Sequence, residues 1–201
     1  MTPERHKKLT NVLTHRQSSL VVVMENVHDP HNIMAVARSC DAIGIQTIYT
    51  IGMVDGEEFN IKQKGGRSSS SANKWVDFKH FETVEDCYAA LRSAGFTILC
   101  THLDAQAEEL CEVDFTKQVA LVFGNEKEGI TEEALRRADG NFVIEQVGMI
   151  QSLNISVACA VTLYEAFRQR RKAGFYQHQQ LSETEYKAIF ERWSKKPPKQ
   201  T

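Results

Sequence analysis

The sequence has no long apolar run. Leu20–Met24 and Val119–Phe123 are among the longest, far short of the roughly 20 residues a membrane-spanning helix needs. It has only 5 cysteines, an odd number with no C-x-x-C pair, which argues against a disulfide scaffold and against structural zinc. The opening Met1-Thr2-Pro3-Glu4-Arg5 lacks the apolar centre of a secretory signal. No G-x-G-x-x-G occurs, so a Rossmann dinucleotide site is excluded, and so is the usual Gly-rich methyltransferase loop. No internal repeat and no domain-breaking linker is visible. These absences lead us to expect one reduced, cytoplasmic globule with no membrane segment and no metal.

Of the 201 residues, 42% are hydrophobic and 25% charged, an ordinary globular balance. A domain of this size buries roughly 70% of its unfolded surface. The net charge of −2 hides an uneven layout. Residues 104–145 hold eleven acids against four bases, whereas 1–16 and 165–176 each hold four bases and one acid. Lys62, Lys64, Arg67 and Lys74 form a further run without an acid. Basic ends around an acidic centre suit a phosphate-rich partner bound from the periphery, although solvated helix faces would give the same pattern.

Along the chain, strands and helices alternate. Thr2-Pro3-Glu4 opens a basic helix with Leu9, Val12 and Leu13 on one stripe. Leu20–Glu25 reads as a buried strand, Asn26–His31 as a loop, and Asn32 as the cap of a helix closed by Gly44. Strands are expected at Gln46–Ile51, Trp75–Phe78, Phe96–Thr101, Val119–Phe123 and Asn141–Glu145. Residues 52–74 form a long polar loop with Gly65-Gly66-Arg67 and Ser68–Ser71, a length that points to function or mobility. Thr83 with Asp86, and Ser182 with Glu185, are capping boxes. Thr131 starts a short helix, and the helix from Asn154 runs to about Arg171. The alternation predicts an α/β domain with a mostly parallel sheet and helices on both faces.

Three stretches carry chemistry. Gln151, Ser152 and Asn154 crowd the start of a helix just past a strand, where one polar residue would suffice as a cap; open α/β sheets place ligands at that edge. Gly124-Asn125-Glu126-Lys127-Glu128-Gly129 fits G-x-x-x-x-G, but Ile130-Thr131 stands where a phosphate cradle needs Lys and Ser/Thr. Asn32 and Arg38 share one helix, and small apolar neighbours suggest a partly buried Arg38 guanidinium in need of an anionic partner. His28-x-x-His31 lacks a third ligand and reads as loop histidines; His102 is ambiguous.

Taken together, Asn32…Arg38, Val122–Ile130 and Met149–Ala158 resemble, in order and spacing, the three motifs of the SPOUT superfamily of RNA 2′-O-methyltransferases. The resemblance covers about residues 20–176 and is strongest to the TrmH branch, the tRNA (guanosine-2′-O-)-methyltransferases. It implies a C-terminal trefoil knot, S-adenosylmethionine (AdoMet) as cofactor, a homodimer with a shared active site, and methylation of tRNA, most simply at guanosine 18. The alternatives are methylation of ribosomal RNA and a catalytically silent RNA-binding module. It further implies a methyltransferase domain over 19–176 between helical extensions at 1–18 and 177–201. Asn32, Arg38, Glu126, Ser152 and Asn154 are its implied catalytic residues. Cofactor contacts fall to Thr101, His102, Leu103, Phe123, Gly124, Asn125, Ile144, Met149, Ser152 and Leu153. The basic residues Arg5, Lys7, Lys8, Arg16, Arg168, Arg171, Lys195 and Lys196 are the implied RNA contacts.

Overall fold

Leu20–Glu25 (β1) is buried at every position, as a strand flanked on both edges and covered on both faces must be. In the computed structural model, which describes residues 1–52, 74–104, 107–150 and 152–195, β1 lies near the middle of an all-parallel sheet. The other elements follow in alternation: α1 (Pro3–Thr14) precedes β1, then α2 (Pro30–Ile43), β2 (Thr47–Ile51), β3 (Asp77–Phe81), α3 (Val84–Ser93), β4 (Thr97–Thr101) and β5 (Glu108–Glu109). The chain continues through β6 (Val119–Phe123), α4 (Glu132–Arg137), β7 (Gly140–Val143), α5 (Ile155–Lys172), a 3-10 turn at Phe175–Gln177 and α6 (Glu183–Ser194). Among the described residues the strand order is β3-β2-β1-β6-β4-β7-β5, and every pairing is parallel.

The period of two splits β1 between two cores. Leu20, Val22 and Met24 face α2 and α5, where Ile33, Val36, Ala37, Cys40, Ile155, Cys159 and Leu163 meet them. Val21 and Val23 face α3 and α4 through Val84, Cys87, Tyr88, Leu91 and Ala134. From β1 the chain goes to β2 on one side, and from β6 it leaves towards β7 on the other. The carboxyl ends of β1 and β6 therefore flank a topological switch point, where such sheets open a crevice.

Several local expectations need correction. The α2 cap is Asp29, which accepts from His31 N at 2.8 Å with Pro30 following it; a first-turn proline behind an aspartate fixes the start three residues before Asn32. The third strand lies at Asp77–Phe81 rather than Trp75–Phe78, because Trp75 turns away to pack edge-on against Trp193. β7 ends at Val143, which releases Ile144 and Glu145 into the following loop. The irregular stretch before Val119 contains the short strand β5. The loop expected at 52–74 lies, from 53 to 73, outside the described residues.

The two ends of the chain pack against each other. Leu9 and Leu13 of α1 pack with Leu181, Ile189 and Trp193, and Tyr186 and Phe190 border the cluster. Helices of 12 residues are marginal alone, so burial of these side chains, worth about 1.5–3 kcal/mol for each large aliphatic, is what holds them. The Ser182–Glu185 capping box forms as expected.

Candidate active site

Four loops leave the carboxyl ends of four adjacent strands: 26–29 from β1, leading into α2, 124–131 from β6, 102–104 from β4 and 144–154 from β7. Loop 124–131 is the most tightly built. Asn125 and Gly129 exchange backbone hydrogen bonds at 3.0 and 2.8 Å, and the Asn125 side-chain oxygen accepts from Lys127 N at 2.8 Å. A Cβ on Gly124 would lie 2.3 Å from the Gly129 carbonyl, so only glycine admits the crossing. Gly129 itself has φ +70. The Asn125 amide donates to the Asn26 carbonyl at 2.8 Å, which fastens the loop to the end of β1.

Asn32 is the junction of the three motifs. Relieved of capping, its amide nitrogen donates to Glu126 Oε1, and its oxygen accepts from Asn154 Nδ2 at 3.1 Å. Asn154 also caps α5, accepting from Ser156 N at 2.9 Å and Ser156 Oγ at 2.6 Å. The chain Ser156–Asn154–Asn32–Glu126 thus holds an ordered donor-to-acceptor sequence from the start of α5 through the first turn of α2 to loop 124–131, and leaves a carboxylate at its end on an exposed surface. Ser152 is exposed two residues before the Asn154 cap. Gln151 lies outside the described residues.

Arg38 is exposed, which corrects the expectation of a partly buried guanidinium. The inward face of α2 is Ile33, Val36, Ala37, Cys40 and Ile43, and Arg38 points off that face. An exposed guanidinium on the same helix as Asn32 can clamp an anionic ligand without rearranging a core.

The expected cofactor residues divide by environment. Thr101 Oγ1 donates to the Val122 carbonyl at 3.1 Å and His102 N to the Phe142 carbonyl at 3.1 Å, so both tie β4 to its neighbours. Leu103, Met149, Ile150 and Leu153 are large apolar side chains left 67%, 99%, 73% and 38% exposed. Ile144 is half-buried. Phe123 is 1% exposed and belongs to the α2 and α5 core, so only its backbone is available to a ligand. Open apolar side chains on the 102–104 and 144–154 loops suit an aromatic base more than a compact polar ligand.

Among the expected RNA contacts, Arg16 is buried and corrects that assignment. Its guanidinium donates to the carbonyls of Ile45 (3.0 Å) and Trp75 (3.0 Å) and pairs with Asp41 at 2.6 Å. Burial lowers its pKa despite the aspartate. Lys7, Lys8, Arg171 and Lys195 are exposed, as is Arg168, which carries a two-pronged bond to Glu165 at 2.7 and 2.8 Å. Arg5 reaches the Trp193 carbonyl at 3.1 Å; Lys196 lies outside the described residues. Within the 165–176 basic run, Arg170 is also buried. It donates to the carbonyls of Phe115, Ser19 and Lys117 at 2.7–2.9 Å and to Ser19 Oγ at 2.9 Å, and desolvation brings it down to about 10. His28 and His31 are exposed, and no cluster of three or more His, Cys, Asp or Glu side chains able to hold a metal exists among the described residues. No helix there is long and apolar enough to cross a membrane.

An all-parallel sheet with its polar junction and its open apolar side chains on one carboxyl edge defines an α/β protein with a ligand crevice at the switch point. The family described as the SpoU rRNA Methylase family matches residues 19–164, and the chain belongs to it. The tRNA (guanosine(18)-2′-O)-methyltransferase of Thermus thermophilus is 40% identical over 196 residues, 97% of this chain and 98% of that protein. The A. aeolicus TrmH/SpoU tRNA modifying enzyme superposes with a TM-score of 0.85 at 37% identity, covering 94% of each chain. An AdoMet-bound rRNA methyltransferase from Sinorhizobium meliloti gives a TM-score of 0.64 at 28% identity, over 81% of this chain and 59% of that one. The expected SPOUT-type fold class is met at the level of the parallel α/β architecture.

Proposed function

We propose that this protein is an AdoMet-dependent tRNA (guanosine-2′-O-)-methyltransferase acting at guanosine 18. The observation that carries the reading is the junction of Asn32, Glu126 and Asn154, which unites at one sheet edge three motifs up to 122 residues apart, together with 40% identity to such an enzyme over nearly the full length of both chains. Ribosomal RNA is the second reading, favoured by the family description and by the likeness to an rRNA methyltransferase; the poorer coverage of that neighbour places it second.

The residues present fit AdoMet. Leu103, Ile144, Met149 and Leu153 would wall an adenine, beside the Thr101-His102 and Phe123-Gly124-Asn125 stretches that end β4 and β6. Bound there, AdoMet supplies a methyl on a sulfonium, whose transfer to a ribose 2′-oxygen needs alignment and removal of the hydroxyl proton but no metal. Arg38 clamps an RNA phosphate and stabilises the developing alkoxide. An arginine stays protonated in nearly every setting and makes a poor base. Glu126, steadied by Asn32, aligns the acceptor ribose, and Ser152 with Asn154 fixes the loop that carries the cofactor wall.

The exposed α5 residues Val157, Val161 and Tyr164 recur at helical spacing and make an apolar stripe that a second copy covers, giving a homodimer. The C-terminal part of the 19–176 domain threads as a trefoil knot. Exposed bases on α1 and at the end of α6, in the extensions over 1–18 and 177–201, bind tRNA phosphates together with Arg168 and Arg171 at the end of α5. Five free cysteines, four of them buried, suit a cytoplasmic location. The test compares labelled methyl uptake from AdoMet by unmodified tRNA and by ribosomal RNA. Uptake by tRNA supports the reading; uptake by ribosomal RNA alone favours the second, and binding without uptake favours a silent module.

A further inference from the structure

Residue 25 stands on the α3-facing side of β1, in line with Val21 and Val23. An apolar side chain would serve packing there at less cost than a carboxylate. Glu25 is nevertheless 1% exposed. It forms no ion pair with a described residue; instead Oε2 accepts from Thr131 N at 3.0 Å and Oε1 from Thr131 Oγ1 at 2.5 Å. Thr131 Oγ1 in turn accepts from Ala134 N at 3.2 Å as the cap of α4. Register pairs Met24 with Phe123, so Glu25 lies beside Gly124, where the loop of β6 departs, and grips Thr131, where the loop lands. Its chain neighbour Asn26 takes the Asn125 amide. Both stalks of the loop bearing Glu126 are therefore fixed from the last residue of β1 and the residue after it.

We infer that Glu25 is a positioning residue for methyl transfer: it acts through loop 124–131, holding Glu126 where Asn32 and the substrate meet it. The inference rests on the functional reading above. The burial of a carboxylate with no ion pair among the described residues follows from this role, since one group accepts both an N–H and an O–H from Thr131, and fixes the loop in two directions.

The experiment measures single-turnover methyl transfer to tRNA at saturating RNA and AdoMet, alongside tRNA affinity and melting temperature. Glu25→Asp keeps the charge but falls short of Thr131, and a displacement of about 1 Å in a reacting group can cost about 100-fold. We expect Glu25→Asp to be slower by about tenfold or more, with tRNA affinity within about twofold of the parent. Glu25→Gln keeps the reach, accepts from Thr131 N and donates to Thr131 Oγ1; it should stay within about threefold. In a Glu126→Gln background, Glu25→Asp should add less than about twofold, because the two act as one unit. Cys87→Ala, in the same core and remote from the site, calibrates how far a lowered melting temperature alone slows transfer. Should Glu25→Asp not fold, Thr131→Val removes one of the two bonds and gives an intermediate loss with the same split. A parental rate in Glu25→Asp, a loss no greater than Cys87→Ala gives at equal destabilisation, or full additivity with Glu126→Gln overturns this inference alone. A parent that methylates no RNA overturns it together with the functional reading.

Discussion

Replacing Asn32 with aspartate is the sharpest local perturbation of the site. The side chain keeps its shape and still accepts from Asn154 Nδ2, the bond seen at 3.1 Å. It loses the donor to Glu126 and sets a second carboxylate against the first. A hydrogen bond to a charged group is worth roughly 1.5–3 kcal/mol. Two like charges at about 4 Å repel by about 1 kcal/mol in water and about 4 kcal/mol at an effective dielectric of about 20. Asn32 is half-buried and Glu126 exposed, which keeps the repulsion near the lower figure. The sum, about 2–4 kcal/mol, corresponds to a turnover lower by about 30- to 1000-fold. Stability should fall by no more than about 1 kcal/mol, because both side chains can reach water instead. Acid conditions separate this variant from a truncation: one proton shared by the pair restores a donor. Relative to the parent, Asn32→Asp should recover as the pH is lowered into the carboxylate range, whereas Asn32→Ala should not. Methyl transfer across that range, with melting curves, tests it. An Asn32→Asp enzyme within about threefold of the parent at pH 8 would refute the reasoning, as would Asp and Ala variants that run parallel at every pH.

Three further outcomes are expected. Arg38→Ala should lower turnover by about 100-fold with melting temperature and AdoMet affinity unchanged, since the side chain is exposed. Arg38→Lys should keep partial activity and the parental pH profile if the residue is a clamp, and acquire a new, lower ionisation if it is a base. Val161→Asp, in the exposed α5 stripe, should give a monomer in sedimentation with little loss of secondary structure. Stability should fall from about pH 9 upward: burial pushes Cys87 and Cys100 up to about 12, and Tyr176 likewise, so the unfolded chain releases protons the folded one retains. Each such group contributes up to about 1.4 kcal/mol per pH unit between its two pKa values. Arg170, lowered to about 10, opposes the trend only above that pH. Urea unfolding from pH 8 to 10.5 reads the slope, and Cys87→Ala should reduce it by one proton.

Much of the fold was legible because local signals agreed. The β1 and β6 runs, the Gly44 stop, the Thr131 and Asn154 caps and the Ser182 box are written in consecutive residues. What was missed depends on partners far away in the chain. Arg16 looked like one of four surface bases, yet its acceptors come from residues 41, 45 and 75. Arg170 was counted in a basic run, but its carbonyl partners sit 53–151 residues away. The sequence around Asn32 reads as a cap, although Asp29-Pro30 carries the stronger start signal, and that competing signal hides why the Asn32 amide is free for Glu126 and Asn154. Glu25 did leave a trace, as a lone acid closing an apolar strand. Nothing local says that Thr131, 106 residues on, completes its hydrogen bonds.

The most direct test of the central claim is to react the purified protein with labelled AdoMet and an unmodified tRNA transcript, then locate the methyl by nuclease digestion and mass spectrometry. The account predicts one methyl, on the 2′-oxygen of guanosine 18, and little uptake when that nucleotide's ribose lacks the 2′-hydroxyl. A methyl found on a base, or no transfer to tRNA by a folded protein that binds AdoMet, would contradict it.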